Sequence, residues 1–173
     1  MRDKRTGQLL VVKKVKVFAQ SFHQTFLREI SFLSRISHPN IINLKEVVTG
    51  NKPSEVYIAM EHMEHEMRRF MDGMRRRFTL GEVKSLLSQL LSAVAALHAQ
   101  WVIHRDLKTA NILYHNGHIK LCDFGEARMF GKPAIGMTPV VQSLRYRAPE
   151  VLLGRSKPYP CYTDLSFFYF YYI

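Results

Sequence analysis

His104-Arg105-Asp106-Leu107-Lys108-Thr109-Ala110-Asn111, followed after a short hairpin by Asp123-Phe124-Gly125, is the stretch on which the reading of this chain turns. It places carboxylates, a carboxamide and cations in loops between apolar segments. Phosphoryl transfer asks little covalent chemistry of a protein. It needs a base for the attacking hydroxyl, carboxylate and amide oxygens for a divalent cation, and a cation on the nucleotide phosphates, all rigidly placed. Upstream, Lys13 lies in a strand and Glu29 on the helix behind it; downstream stands Ala148-Pro149-Glu150. Taken singly, each has a bland rival: Lys13 as a solvated strand lysine, Glu29 as a surface partner of Arg28 and Asp106 as a turn residue.

Outward from this stretch, Thr79 and Glu82 stand at capping-box spacing before an amphipathic run. Val83, Leu86, Leu87, Leu90, Leu91, Val94 and Leu97 trace one helical face, which predicts a core contact. Ile112-Leu113-Tyr114 and Ile119-Lys120-Leu121 flank Asn116-Gly117, a hairpin signal because that pair tolerates positive backbone angles. The first half predicts a small sheet around one helix: strands at 9–17, 41–48 and 56–60, with Leu27, Ile30 and Leu33 at helical spacing between them. From Ser166 the chain runs Phe167-Phe168-Tyr169-Phe170-Tyr171-Tyr172-Ile173, an aromatic tail without periodicity that reads as an end foreign to the domain.

A chain of 173 residues holds one catalytic unit or part of one. Two cysteines, Cys122 and Cys161, support neither a disulfide framework nor a zinc site and fit a reducing compartment. The charged N-terminus is no secretory signal, and no apolar run is read as a membrane span. A formal net charge of +11 suits a phosphate-bearing ligand, but no nucleic-acid reader motif accompanies it. Its densest cluster, Arg68-Arg69 with Arg75-Arg76-Arg77, reads as a solvated helix face or as a docking patch for an acidic partner.

Together these motifs, in this order, resemble the protein-kinase set, from Arg2 to about Leu153. The resemblance implies an α+β, bilobal protein-kinase-like fold, present in part: residues 1–60 as a small lobe, 61–165 as the hinge and start of the large lobe, and 166–173 as an atypical tail. It implies ATP and Mg²⁺ as cofactors. Asp106 would accept the substrate hydroxyl proton, with Lys108 near the γ-phosphate and Ser143 beside the base. Asn111 and Asp123 would bind Mg²⁺. Lys13 would hold the α- and β-phosphates, paired to Glu29. Val11 lies above adenine, Met60 at the back of its pocket, Glu61 and Met63 in the hinge, and Leu113 at the floor. Leu33, Leu44, His104 and Phe124 match the apolar stack joining the lobes.

Within kinases the chain is similar to the cyclin-dependent family, most to its PITSLRE subgroup, on Phe22 to Ile30 and Thr138 to Glu150. This implies a cyclin-type regulatory subunit, protein substrates with Ser-Pro or Thr-Pro, no membrane, and a nuclear or cytoplasmic location. Arg28, Arg105 and Arg128 would converge on a phosphorylated Thr138. Departures are Val11 for alanine, Glu126 for leucine after Asp-Phe-Gly, Arg145 for tryptophan and Gln142-Ser143 for Val-Thr. No glycine-rich loop precedes Lys13, and the tryptophan and glycine expected after Asp164 do not follow it. A chain truncated at both ends and inactive by itself is the expectation. The alternative is a catalytically silent kinase-like module that binds a cyclin or another regulatory protein.

Overall fold

The computed structural model describes residues 1–18, 21–22, 24–52, 55–130, 142–152 and 161–169. After a turn at Gly7, whose φ is +71°, the β-branched run forms β1 (Leu10–Phe18), followed by β2 (Ser21–Phe22), helix α1 (Gln24–Leu33), β3 (Leu44–Thr49) and β4 (Glu55–Glu61). The strands form one antiparallel sheet in the order β2-β1-β4-β3. Because side chains alternate along a strand, Val11, Lys13 and Val15 share a face. Val15 packs with Phe26 of α1 and with Val56 and Ile58, and that packing carries Lys13 toward α1. The inward face of α1 differs from the predicted one: Phe26, Glu29 and Leu33 are buried, whereas Leu27 is half-exposed. Leu27 stands about 100° round the helix from Phe26, off the sheet-facing stripe.

The large lobe begins with β5 (His65–Glu66) and helix α2 (Met67–Asp72), then helix α3 (Leu80–Ala99) and β6 (Val102–Ile103). It continues through β7 (Ile112–His115), β8 (His118–Leu121), β9 (Arg128–Met129), α4 (Pro149–Leu152) and α5 (Ser166–Tyr169). Strands β5, β7 and β8 make one sheet and β6 pairs with β9. The β7–β8 hairpin turns at Asn116 and Gly117, with φ of +46° and +80°, the angles its sequence asks for.

The predicted capping box opens α3. Thr79 Oγ1 accepts from the Glu82 amide at 3.3 Å, and the Glu82 carboxylate accepts from the Thr79 amide at 2.7 Å. Leu90, Ala93, Val94 and Leu97 are buried, but Leu91 is half-exposed, a departure from the predicted stripe. By length and composition α3 is apolar enough to cross a membrane, which amends the reading that no segment is. Its Gln89 is bound to protein: it accepts from the Asn40 carboxamide and the Ile119 amide, both at 3.0 Å, and donates to the Gly117 carbonyl at 2.8 Å. Such contacts belong to the core helix of a globular lobe.

The aromatic tail is built into the large lobe at its start. Phe167 is buried in the main core and stacks on Tyr146 at 5.7 Å, while Ser166 Oγ donates to the Tyr146 carbonyl at 2.9 Å. Residues 170–173 lie outside the described residues.

Candidate active site

Between β6 and β7 the chain must hold Arg105 at φ +67°, a left-handed conformation costing a non-glycine residue about 1–3 kcal/mol. The restraint is Asp164. Fully buried, its Oδ2 accepts from the His104 amide and its Oδ1 from the Arg105 amide, each at 2.8 Å. His98 Nε2 lies 3.0 Å from the same Oδ2. His104 Nδ1 accepts from the Asp106 amide at 3.3 Å, so Nε2 carries the hydrogen and donates to the Cys122 carbonyl at 3.1 Å. The His104 ring meets Phe124 edge-on at 5.0 Å. Leu33, Leu44 and Phe124 belong to or pack against the same core, so the two lobes share one apolar seam.

Asp106 is gripped on both oxygens. Oδ1 accepts from Ser143 N at 3.1 Å and Ser143 Oγ at 2.9 Å. Oδ2 accepts from Lys108 Nζ at 2.6 Å and Asn111 Nδ2 at 3.1 Å. Asn111 Nδ2 also donates to the Asp106 carbonyl at 2.8 Å, and Lys108 Nζ reaches Ser143 Oγ at 3.1 Å. The four residues assigned to catalysis from sequence thus form one hydrogen-bonded group.

Beside it opens a cleft of about 300 Å³ between the lobes. Its walls include the residues expected to hold adenine and the α- and β-phosphates, Val11, Lys13, Glu29, Met60, Glu61, Met63 and Leu113, together with Asn111 and Asp123. Lys13 Nζ donates to both oxygens of the buried Glu29 carboxylate, at 3.0 and 2.8 Å. Asp123, exposed at φ +64°, precedes Phe124, fully buried, and Gly125. A Cβ on Gly125 would lie 2.3 Å from Thr25 Cγ2, so glycine is what lets this turn close against α1. Burial, and less so the Asp123 carboxylate, pushes the Cys122 thiol up to about 12. Glu61 ties the lobes at the hinge: its Oε1 accepts from the Asn43 amide at 2.7 Å and from Lys120 Nζ at 2.9 Å.

Among the described residues no cluster of three His, Cys, Asp or Glu could hold a metal alone. An exposed carboxylate and a carboxamide oxygen facing one cleft fit Mg²⁺, which takes few protein ligands and completes its shell with phosphate and water.

The residues expected from sequence to be regulatory are placed in part. Arg105 is fully buried, donates from Nε to the Glu126 carbonyl at 2.6 Å, and holds its Nη2 3.7 Å from the Glu126 carboxylate. Arg128 on β9 donates to the Ala127 carbonyl at 2.8 Å, and Arg28 precedes Glu29 on α1. Thr138 lies outside the described residues. The sequence reading missed Gln142 as a structural staple. Its Nε2 donates to the Thr163 carbonyl at 2.9 Å and reaches Ser166 Oγ at 3.2 Å, and its Oε1 accepts from the Ala148 amide at 2.8 Å. It also missed the contact of His98 with Asp164. Neither leaves a local signal, since the partners are distant along the chain.

With this geometry in place, the family follows: residues 1–165 match the protein kinase domain model, and the chain belongs to that family. Among individual proteins it is similar to the probable cyclin-dependent kinase 10 of Dictyostelium discoideum, 48% identical over 90% of this chain and 44% of that protein. Cyclin-dependent kinase G-1 of Oryza sativa subsp. indica is 45% identical over 95% of the chain and 24% of that protein. Human cyclin-dependent kinase 11B is 43% identical over 95% of the chain and 21% of that protein. The chain therefore spans less than half the length of these relatives.

Proposed function

We propose that this chain carries the catalytic apparatus of a cyclin-dependent-type serine/threonine kinase, one that transfers the γ-phosphoryl group of ATP to Ser-Pro or Thr-Pro sites of proteins. A cyclin-type subunit regulating it, a nuclear or cytoplasmic site of action, and phosphorylation at Thr138 as the activating event belong to the same reading. The observation that carries it is the Asp106 carboxylate, held on both oxygens by Lys108, Asn111 and Ser143 at the mouth of a cleft containing the Lys13–Glu29 pair. Asp106 orients the substrate hydroxyl and takes its proton, and its four donors keep it from swinging away. Lys13, fixed by Glu29, presents a cation to the nucleotide phosphates. Lys108, bridging Asp106 and Ser143, lies where negative charge grows during transfer. Mg²⁺ held by Asn111 and Asp123 would neutralise phosphate charge.

The test uses the full natural polypeptide containing this sequence, purified with a cyclin, with transfer from ATP to paired Ser-Pro and Ser-Ala peptides. Asp106→Asn is expected to keep nucleotide binding while losing roughly 10²–10⁴-fold in transfer. Turnover indifferent to Asp106→Asn would refute the assignment. Nucleotide binding without any transfer would favour the silent module, and equal rates on the two peptides would remove the proline preference.

A further inference from the structure

An apolar cavity of about 120 Å³ opens in the large lobe between α2 and α3. Met67, Leu86, Leu90, Ile112 and Phe167 are among its walls, and Thr109 is the one polar residue lining it. It shares Met71, Phe78 and Val83 with a wider groove of about 620 Å³, whose rim is Arg75, Arg76 and Arg77 on the α2–α3 connection. The nearby acids are already engaged. Asp72 pairs with Arg68 at 3.0 Å, Glu66 with Arg69 at 3.7 Å, and Glu82 takes both Arg76 nitrogens at 2.9 and 2.7 Å. Arg75 and Arg77 are exposed and, among the described residues, have no acidic partner. An apolar hole behind an uncompensated basic rim is half of a complementary pair.

We propose that this groove docks an acidic peptide segment of a partner protein through one large apolar anchor residue. The size sets the anchor: roughly 150 Å³ of apolar cavity holds a benzene-sized group, so the smaller space of about 120 Å³ takes one leucine-sized side chain and no acyl chain. The rim sets the flanks, because opposite charge around a desolvated anchor steers association and fixes register. The chain's own last residues, Phe170 to Ile173, carry no acidic side chain and so do not match the rim. Nucleic acid would use the arginines but leave the cavity empty. Phe78, the rim aromatic, is itself packed on Phe70 and Tyr114 at 6.1 and 6.3 Å. The inference is independent of the catalytic reading, and its test needs no phosphate transfer.

The probe is a fluorescein-labelled peptide with the core Glu-Glu-Leu-Glu-Glu, titrated with the whole chain and followed by anisotropy. Saturable binding is expected. It should weaken about tenfold or more in the exposed-loop variant Arg75→Glu/Arg77→Glu and by a similar factor when the peptide leucine is alanine. Val83→Trp, which narrows the cavity mouth, should reduce binding while leaving the rim charge unchanged, and circular dichroism checks that each variant is folded. No saturable binding, or binding unaffected by the arginine reversals, overturns the proposal. Equal binding of the alanine peptide means charge alone is read, which also overturns it. So does single-stranded DNA competing as well as the peptide, or binding that appears only when residues 170–173 are removed.

Discussion

Replacing Asp164 with asparagine removes one of the two oxygens that hold the His104–Arg105 turn ahead of Asp106 and puts an NH₂ in its place. In the native site Oδ1 serves the Arg105 amide and Oδ2 serves the His104 amide and His98 Nε2. Whichever way the carboxamide sits, one buried N–H faces another donor. A buried donor left unsatisfied costs about 1–3 kcal/mol, and losing the charge on the acceptor weakens the surviving bond. The sum for Asp164→Asn is roughly 2–4 kcal/mol. Asp164→Ala strands both amides and adds a cavity, which brings the cost to about 4–6 kcal/mol. Against a typical domain stability of roughly 5–15 kcal/mol, the asparagine variant stays folded and the alanine variant is at risk of unfolding. With its restraint weakened, Arg105 can leave φ +67°, and a shift of about 1 Å at Asp106 would cost roughly a hundredfold in rate. Urea unfolding gives the stability change, and amide hydrogen exchange at His104 and Arg105 gives its location. A cost below about 1 kcal/mol for the asparagine variant, or unchanged protection of those two amides, would refute Asp164 as the anchor.

Gly125→Ala should push α1 outward and break the Lys13–Glu29 pair, weakening nucleotide binding, because its Cβ would meet Thr25 Cγ2 at 2.3 Å. The double variant Thr25→Ser/Gly125→Ala should recover part of the loss in a titration with a fluorescent nucleotide. Glu82, drawn down to about 2 chiefly by its bonds to Arg76, has a folded-state pKa below its ordinary 4.5. Its contribution is therefore complete above about 4.5 and lost as pH falls toward about 2. The exchange protection of the Thr79 amide, which donates to that carboxylate, should fall over that window once the intrinsic pH dependence is divided out, and Glu82→Gln should flatten the response. The Cys122 thiol, pushed up to about 12, should resist iodoacetamide at pH 8 in the folded protein and react once urea unfolds it. Mass spectrometry that found Cys122 alkylated as fast in the native state would contradict the raised pKa of this half-buried thiol.

What could be read from sequence was what depends on neighbours along the chain. The Asn116-Gly117 hairpin, the Thr79–Glu82 capping box and the order of the loop motifs are local statements of backbone preference, and each reappears in the structure. All seven residues assigned to the nucleotide line one cleft. What escaped depends on which face meets which partner. Leu27 and Leu91 fit the apolar stripes by type yet stand at their edges, and periodicity alone cannot place an edge to within one residue. Phe167 looked foreign because an aromatic run has no period, but Tyr146 and the main core provide a socket for it. Gln142 looked like a departure from a family pattern because its partners, Thr163 and Ser166, belong to a segment that only folding brings near.

The Gln142 staple also bears on how this chain can change over time. The Gln142 carboxamide reaches Thr163, Ser166 and Ala148 at once, and the small Ser166 side chain leaves it room to do so. A bulky residue at 166 alone would press on that amide. An aliphatic residue at 142 alone would strip the Ala148 amide of its acceptor. The two positions are thus coupled, so that a substitution at either one is expected to cost less when the other changes with it.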